Sequence, residues 1–481
     1  CYNRGEFRRR FPRSLEGKEN GIMMDFIREA ARVVPSQRQL DWFEMERYAF
    51  VHFGVNTFTD REWGEGTEDE AIFDPKKLDC DQWVEAIKSA GLKGMILTAK
   101  HHDGFCLWPS KYTEHSVKNS PFQGDVVREA AEACRRGGIK FGFYLSPWDR
   151  NSKLYGTPAY NDYFCSQLEE LLTGYGDIFC VWFDNACGEG EGGKKQVYDF
   201  PRYFEMIRKY QPNAVIFNDF GPDTRWCGNE AGVARHSEWA VVPSELCFYS
   251  EVQTGPGPMA DAGSLSYMYN TNREIGTMPN ILYSKGLVFA PAEIDMSIRP
   301  GWFWHESEEP HSLERLFNTY LRSCGANACF NLNVPPNRDG LIDARDVQRL
   351  KELGDLIRST VENRIPCTVE RVGGTPTQPV YEVRATEPAE IGCVVLREDL
   401  TKGQRVEGFR VLGLDDGKTD YALFEGTCIG NKRICMLEDP FAVQNPLTGY
   451  TEKKLPGVRV QITAARDEVF LREIYLARGK A

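Results

Sequence analysis

Asp184 is the residue from which the chemistry of this chain can be read. It closes the run Cys180-Val181-Trp182-Phe183-Asp184, four hydrophobic residues and then a carboxylate, so a short strand is expected to end there with Trp182 offering a flat apolar wall beside the acid. A carboxylate so placed can attack an electrophilic carbon, or it can cap the glycine-rich loop that follows; position alone leaves both open. Attack at an acetal carbon by double displacement needs a second carboxyl, one that starts protonated, gives its proton to the leaving oxygen and then activates water. Asp219, Asp223, Glu230 and Glu238 are the candidates. Glu230 stands in Trp226-Cys227-Gly228-Asn229-Glu230-Ala231-Gly232, where two glycines permit a tight loop beside an aromatic, surroundings that can raise a carboxyl pKa. Asp219, nearer the strand end, is better suited to orienting its neighbours.

Histidines and tryptophans complete the set. His101 and His102 are adjacent, so on an extended backbone they point to opposite sides and cannot both fill the core. With His52 and Asp184 they would suit metal-assisted hydrolysis, yet the spacing gives neither His-x-His nor His-Glu-x-x-His, and imidazoles serve equally as partners for sugar hydroxyls. Trp63, Trp182, Trp302 and Trp304 can stack on the apolar face of a pyranose or fill the core.

These residues sit at the ends of apolar runs, and the runs define the scaffold. Ala49 to Gly54, Met95 to Thr98, Phe141 to Trp148, Ile178 to Phe183 and Ala214 to Asn218 read as strands. Helical stretches separate them, among them Asp81 to Ala90, Gln123 to Gly137, Tyr160 to Gly174 and Phe200 to Tyr210, the rhythm of βα units. In a barrel of such units the residues past each strand's C-terminal end gather on one face, where chemistry is done. Between Gly221 and Pro310 the rhythm loosens into Gly-, Pro- and Asn-rich sequence and long loops are expected; a helix at Ser312 to Ala326, a strand at Cys329 to Val334 and a helix at Asp343 to Val361 close the barrel. From Pro366 onward period-two alternation, as in Gly392 to Leu396, Arg405 to Leu412 and Val458 to Ile462, with a turn at Asp415-Asp416-Gly417, predicts an antiparallel β-sandwich. The expected architecture is α/β: an N-terminal extension over 1–40, in part poorly ordered, a (β/α)8-like barrel over 41–362 and a sandwich over 363–481.

Bulk properties exclude some function classes. A net charge of −12 argues against a nucleic-acid partner, and the lone basic cluster, Arg8-Arg9-Arg10 with Arg13, reads as part of the extension. The 15 cysteines show no paired spacing and no Cys-x-x-Cys, so buried thiols are expected rather than a disulfide framework or structural zinc. No run of about 18 apolar residues marks a membrane span, and no signal-peptide core is visible in this chain.

Taken together, His52-Phe53-Gly54, Lys100-His101-His102-Asp103-Gly104-Phe105, Trp182-Phe183-Asp184 and Gly221 to Glu230 resemble the α-L-fucosidases of glycoside hydrolase family 29. The resemblance runs over roughly Trp42 to Val361, including Ser297 to Phe303 and Asn331 to Gly340, and extends into the tail at Val394 to Gly408, which looks like a galactose-binding-type sandwich. It implies a retaining exo-hydrolase acting on terminal α-L-fucose, with no metal and no cofactor. Asp184 becomes the nucleophile and Glu230 the acid/base of the subgroup acting on α-1,3- and α-1,4-linked fucose of Lewis-type glycans. His52, Glu62, Trp63, His101, His102, Tyr144, Trp182, Arg225 and Trp302 become candidates for gripping the sugar. The expected partners are fucosylated oligosaccharides or glycoconjugates, with an extracytoplasmic location favoured and the oligomeric state left open. Two other classes stay on the table: a fucose-binding protein that lost catalysis, and a metal-dependent hydrolase.

Overall fold

The computed structural model describes residues 26–219, 221–247, 274–282, 284, 286–414, 421–437 and 454–479. Residues 1–25, with the basic cluster, and the turn at 415–417 lie outside them. Helix α1 (Gln37–Met45) starts inside the stretch expected to be an extension, where Ser36 and Gln39 cap each other, and Ala30 and Ala31 before it are fully buried. Gln39 explains the packing: its amide donates to the carbonyls of Asp223 and Phe289, at 2.7 and 2.6 Å, tying α1 to the barrel.

The barrel strands in chain order are β1 (Arg47–Val51), β2 (Gly94–Lys100), β3 (Lys140–Leu145), β4 (Cys180–Trp182), β5 (Val215–Phe217) and β6 (Arg225–Trp226). A two-stranded antiparallel ribbon follows, β7 (Val241–Pro243) with β8 (Leu287–Phe289), and then β9 (Ala292–Ser297) and β10 (Ala328–Asn333) complete the set. The sheet order is β5-β4-β3-β2-β1-β10-β9-β6, every pairing is parallel, and a parallel bridge between Phe217 and Thr224 joins its two edges into a ring. This is the expected (β/α)8-like barrel with one irregularity: β5 reaches β6 without an intervening helix.

The wall helices form where capping residues and apolar stripes coincide. In α4 (Val126–Gly137), numbered after α2 (Val55–Thr59) and α3 (Cys80–Ser89), the Asp125 carboxylate accepts from Arg128 N, Val126, Val127, Ala130 and Cys134 are buried, and Gly138 ends the helix at φ 70°. The remaining helices are α5 (Ala159–Gly174), α6 (Phe200–Tyr210), the short α7 (Met278–Ile281), α8 (Leu313–Ser323) and α9 (Ala344–Ser359). Two barrel strands, β6 and β9, and the ribbon β7–β8 fall in the segment read as long loops. The reason is visible in β9: Glu293, Asp295 and Ser297 alternate with Ile294 and Met296, all six residues of the strand are buried, and polar inward residues hide the apolar signature of a barrel strand.

Beyond α9 the chain forms two antiparallel sheets. One runs β11 (Arg364–Ile365), β19 (Leu471–Ala477), β14 (Cys393–Glu398) and β17 (Arg433–Met436); the other β12 (Cys367–Gly374), β13 (Pro379–Ala389), β18 (Leu455–Ala465), β15 (Val406–Gly413) and β16 (Tyr421–Gly426). Val383, Val394, Leu396, Phe409, Val460 and Leu476 share their common core. The described cysteines are free thiols, all buried except Cys187 and Cys367. No described helix is long and apolar enough to cross a membrane.

Candidate active site

The tips of β1 to β5 and the loops after β6 and β9 surround a cavity of about 300 Å³ at the C-terminal end of the barrel. Its wall contains Asp184 and Glu230 together with His52, Glu62, Trp63, His101, His102, Tyr144, Trp182 and Trp302. A larger hollow of about 740 Å³, around Lys140, Ile178 and Val215, opens at the N-terminal ends of the strands, the face that serves stability in this architecture.

Asp184 lies two residues past β4 and is held by named donors. Tyr144 O–H on β3 donates to its Oδ2 at 2.7 Å, the Ala186 N–H donates to Oδ1 at 3.1 Å, and His102 Nε2 stands 3.5 Å from Oδ2. Burial, and then the Asp184 charge, push the Tyr144 hydroxyl well above its ordinary pKa, so Tyr144 remains a donor. The carboxylate is thereby fixed with its side chain still 21% accessible.

The imidazoles are held as neutral rings. Burial lowers the His52 pKa to about 3, outweighing its hydrogen bond to Asn333. Because the Asn333 amide donates to Ser297 Oγ and to the Trp302 carbonyl, its Oδ1 must accept from His52 Nδ1 at 2.8 Å, which leaves Nε2 of His52 as an acceptor. Ser146 Oγ stands 2.8 Å from His102 Nδ1 and 2.7 Å from the Trp148 carbonyl, on the side of the His102 ring away from Asp184. Burial lowers His101 too, followed by the neighbouring His102 and His52. Among the described residues no group of His, Cys, Asp and Glu has the geometry to hold a metal ion.

Trp182 is stacked on Phe217, ring centroids 4.4 Å apart and planes at 7°, and its indole N–H donates to Glu293 at 2.8 Å. Trp302 is half-buried, with its ring centroid 5.2 Å from that of His52. Trp63 is 59% exposed and meets the His102 and Trp148 rings edge-on. Trp304 is buried, a core residue and not a platform.

Glu230 is exposed at the rim. Its loop is shaped by Asn229, whose amide oxygen accepts from Ala231 N and whose Nδ2 donates to the Val233 carbonyl, with Gly228 and Gly232 at φ 100° and 75°. The burial that the sequence suggested around Glu230 falls instead one layer deeper, at two carboxyls that sequence reasoning did not single out. Asp295 lines the cavity and accepts from Trp226 Nε1 at 2.7 Å; burial, then Glu293, raises its pKa well above the usual carboxylate range. Glu293, beneath it, is raised to about 7 by burial and bridges Trp182, Tyr48 and Asn331. The carboxylates of β9 at every second position were the available signal.

The other acid candidates separate. Asp219 lines the cavity. Asp223 is paired with Arg208 and accepts the Ile216 N–H, and Glu238 is fully buried between Arg225 and Arg235. Arg225 is the one expected sugar ligand that the structure does not bring to the wall: it is fully buried, and its guanidinium donates to Glu238 and to the Trp239 carbonyl.

A mouth with two carboxyls, fixed donors and aromatic walls on this barrel defines a glycoside hydrolase. A sequence model described as Alpha-L-fucosidase matches residues 26–362. The chain is 39% identical over 440 residues to Alpha-L-fucosidase 1 of Arabidopsis thaliana, covering 83% of this chain and 81% of that protein. The structure resembles that of a glycoside hydrolase 29 family member from a rumen bacterium, with a TM-score of 0.76 at 35% identity, over 93% of this chain and 77% of the other. It also resembles the Ruminococcus gnavus GH29 fucosidase in complex with fucose, TM-score 0.77 at 27% identity, over 93% and 95% of the two chains. The chain belongs to the α-L-fucosidase family, glycoside hydrolase family 29.

Proposed function

We propose that this enzyme hydrolyses terminal α-L-fucose as a retaining exo-glycosidase. In this reading Asp184 attacks the anomeric carbon while Glu230 protonates the departing oxygen. The resulting fucosyl ester is hydrolysed by a water that Glu230, now a carboxylate, deprotonates. The observation that carries the reading is the fixation of Asp184 by Tyr144 and Ala186 in a cavity whose wall also contains Glu230. The acceptor at Nε2 of His52 suits a sugar hydroxyl, and Trp182, Trp302 and Trp63 suit the apolar ring face and the deoxy-sugar methyl. Trapping with a 2-fluoro-fucosyl donor, followed by peptide mass analysis, tests the central step. Labelling of Asp184 supports it, and labelling elsewhere or initial release of β-fucose overturns it.

The substrates we assign are α-1,3- and α-1,4-linked fucosides on Lewis-type glycans, because the segments 221–232 and 297–303 resemble that subgroup. Rates on Lewis-type trisaccharides against 2- and 6-linked fucosides decide this, and faster release from a 2-linked substrate would refute it. Residues 41–362 carry the catalysis in this reading and the sandwich over 363–481 braces them. Its support is the contact of Glu46 on the barrel with Lys432 and Arg397 on the sandwich, at 2.9 and 2.6 Å.

A further inference from the structure

Two cavity walls, Trp63 and Trp302, come from loops more than two hundred residues apart in sequence, and one cluster joins those loops. Glu62, next to Trp63, accepts from the backbone N–H of Trp302 at 2.9 Å and of Phe303 at 3.2 Å. His305, three residues past Trp302, stands 2.7 Å from Glu62 Oε1 through Nε2 and 2.8 Å from Asp60 Oδ1 through Nδ1. Asp60 is the left-handed C-cap of α2, so its carboxylate belongs to the turn that launches the Trp63 loop. The approach is close: a Cβ on Gly301 would lie 2.6 Å from Glu62 Oε1 and 2.9 Å from His305 Cδ2. The base of the second loop is rigid, since buried Arg299 donates to Asp346 at 2.8 Å and to the carbonyls of His305 and Glu308.

We propose that His305 is a positioning residue of this enzyme: by bridging Asp60 and Glu62 it clasps the Trp63 loop to the Trp302 loop and sets the gap into which the saccharide fits. The inference rests on reading the cavity as the fucoside site. It gives Glu62 a different task from the sugar ligand that resemblance suggested, because its oxygens already serve two backbone donors and an imidazole. To bridge two carboxylates the ring must donate from both nitrogens, which only the imidazolium does. Burial disfavours that charge, but the hydrogen bonds to Asp60 and Glu62 outweigh it and raise the His305 pKa. The charged groups facing the ring are Asp60 and Glu62 from the first loop and Glu308 from its own, with Arg338, from the segment after β10, 3.7 Å from Asp60. A raised pKa means that the clasp is complete at low pH and opens as pH rises through that value, when one of the two bonds is lost.

The test is the pH dependence of KM and kcat on an aryl fucoside for the wild type, His305→Gln, His305→Ala and Asp60→Asn. The clasp predicts that His305→Ala, which removes both charge-assisted bonds of the bridge, raises KM by about tenfold with kcat within about threefold. Wild-type KM climbs on the alkaline side, the climb is absent in His305→Gln, and Asp60→Asn moves it to lower pH. An unchanged KM in folded His305→Ala, or the same alkaline climb in His305→Gln as in the wild type, overturns the proposal. Should His305→Ala fail to fold, the His305→Gln profile decides. Asp184→Asn in the same assay separates the two readings: full turnover there would remove the cavity as the site, whereas its loss with normal His305 variants would remove only the clasp.

Discussion

Two clusters of buried ionisable groups in this molecule respond to burial in opposite ways. At the seam between barrel and sandwich, Glu46 is enclosed by Lys432, Arg397 and Arg47; burial alone would raise its pKa, but the three cations overcome that and hold it near 2. At the cavity, His52, His101, Glu293 and Asp295 are buried without compensating partners of opposite charge, and each is pushed toward its neutral form. The seam spends its charges on each other and is finished when the protein folds. The cavity groups are held by neutral hydrogen-bond partners instead, His52 by Asn333, Glu293 by Tyr48, Trp182 and Asn331, and Asp295 by Trp226. Ion pairing therefore marks the seam, and neutral hydrogen bonding marks the floor of the cavity.

The difference is broken most directly at Asp184. Asp184→Asn keeps the bond from Tyr144 yet removes the proposed nucleophile, and kcat on an aryl fucoside should fall by about 10⁴-fold with the melting temperature unchanged. A variant that kept its turnover would return Asp184 to the role of a loop cap. Glu230→Gln should cost about 10²–10⁴-fold on glycans whose leaving sugar needs a proton, and far less on an activated aryl fucoside whose leaving group does not. Equal losses on both substrates would point to a positional role for Glu230 and move attention to Asp295.

How much of this was legible in the sequence depends on which side of a strand carried the signal. The tips of β1 to β4 were legible because each apolar run ends abruptly in His, Tyr or Asp, and the catalytic candidates sit at the break. β9 was not, because a strand buried on both faces is expected as a continuous apolar run, whereas here Glu293, Asp295 and Ser297 interrupt it on the inward face. Arg225 shows the other limit. It belongs to the motif, but its partner Glu238 is 13 residues away along an irregular loop, and only the folded chain shows Nη2 of the guanidinium engaged by that carboxylate. Glu62 is similar: its donors lie 240 and 241 residues further on.

At the seam the expected loss is of stability and not of activity. Glu46→Gln leaves Lys432 and Arg397 buried beside an uncharged amide and should destabilise the fold by about 3 kcal/mol, with kcat per folded molecule unchanged. The pH dependence follows in sign. A carboxylate whose folded pKa is near 2 against 4.5 unfolded contributes fully above pH 4.5, and its contribution is lost as the pH falls toward 2. Denaturant titrations between pH 6 and pH 3 should show a steeper loss in the wild type than in Glu46→Gln; parallel curves would mean that the seam charges are as unpaired as those of the cavity.

Glu293 carries the opposite sign and the smallest effect. With a folded pKa near 7 against 4.5 unfolded, its burial as a neutral acid is free of penalty below pH 4.5, and stability declines as pH rises from 4.5 to 7, where the unfolded chain has lost a proton that the folded state still holds, and the loss is complete above 7. Replacing it by Gln should remove about 2 kcal/mol of that decline between pH 5 and pH 8 while leaving an acceptor for Trp182 Nε1. Activity supplies the cross-check. Glu293 sets Trp182 through the indole N–H and lies beneath Asp295, so ionising it places a charge under the sugar without altering the wall. If Glu293→Gln flattens the alkaline fall in stability but preserves kcat/KM at pH 6, the deep carboxyl acts as a neutral support. If kcat/KM at pH 6 falls with it, the proton on Glu293 belongs to the chemistry, and the boundary between the two clusters lies one layer deeper than the cavity wall.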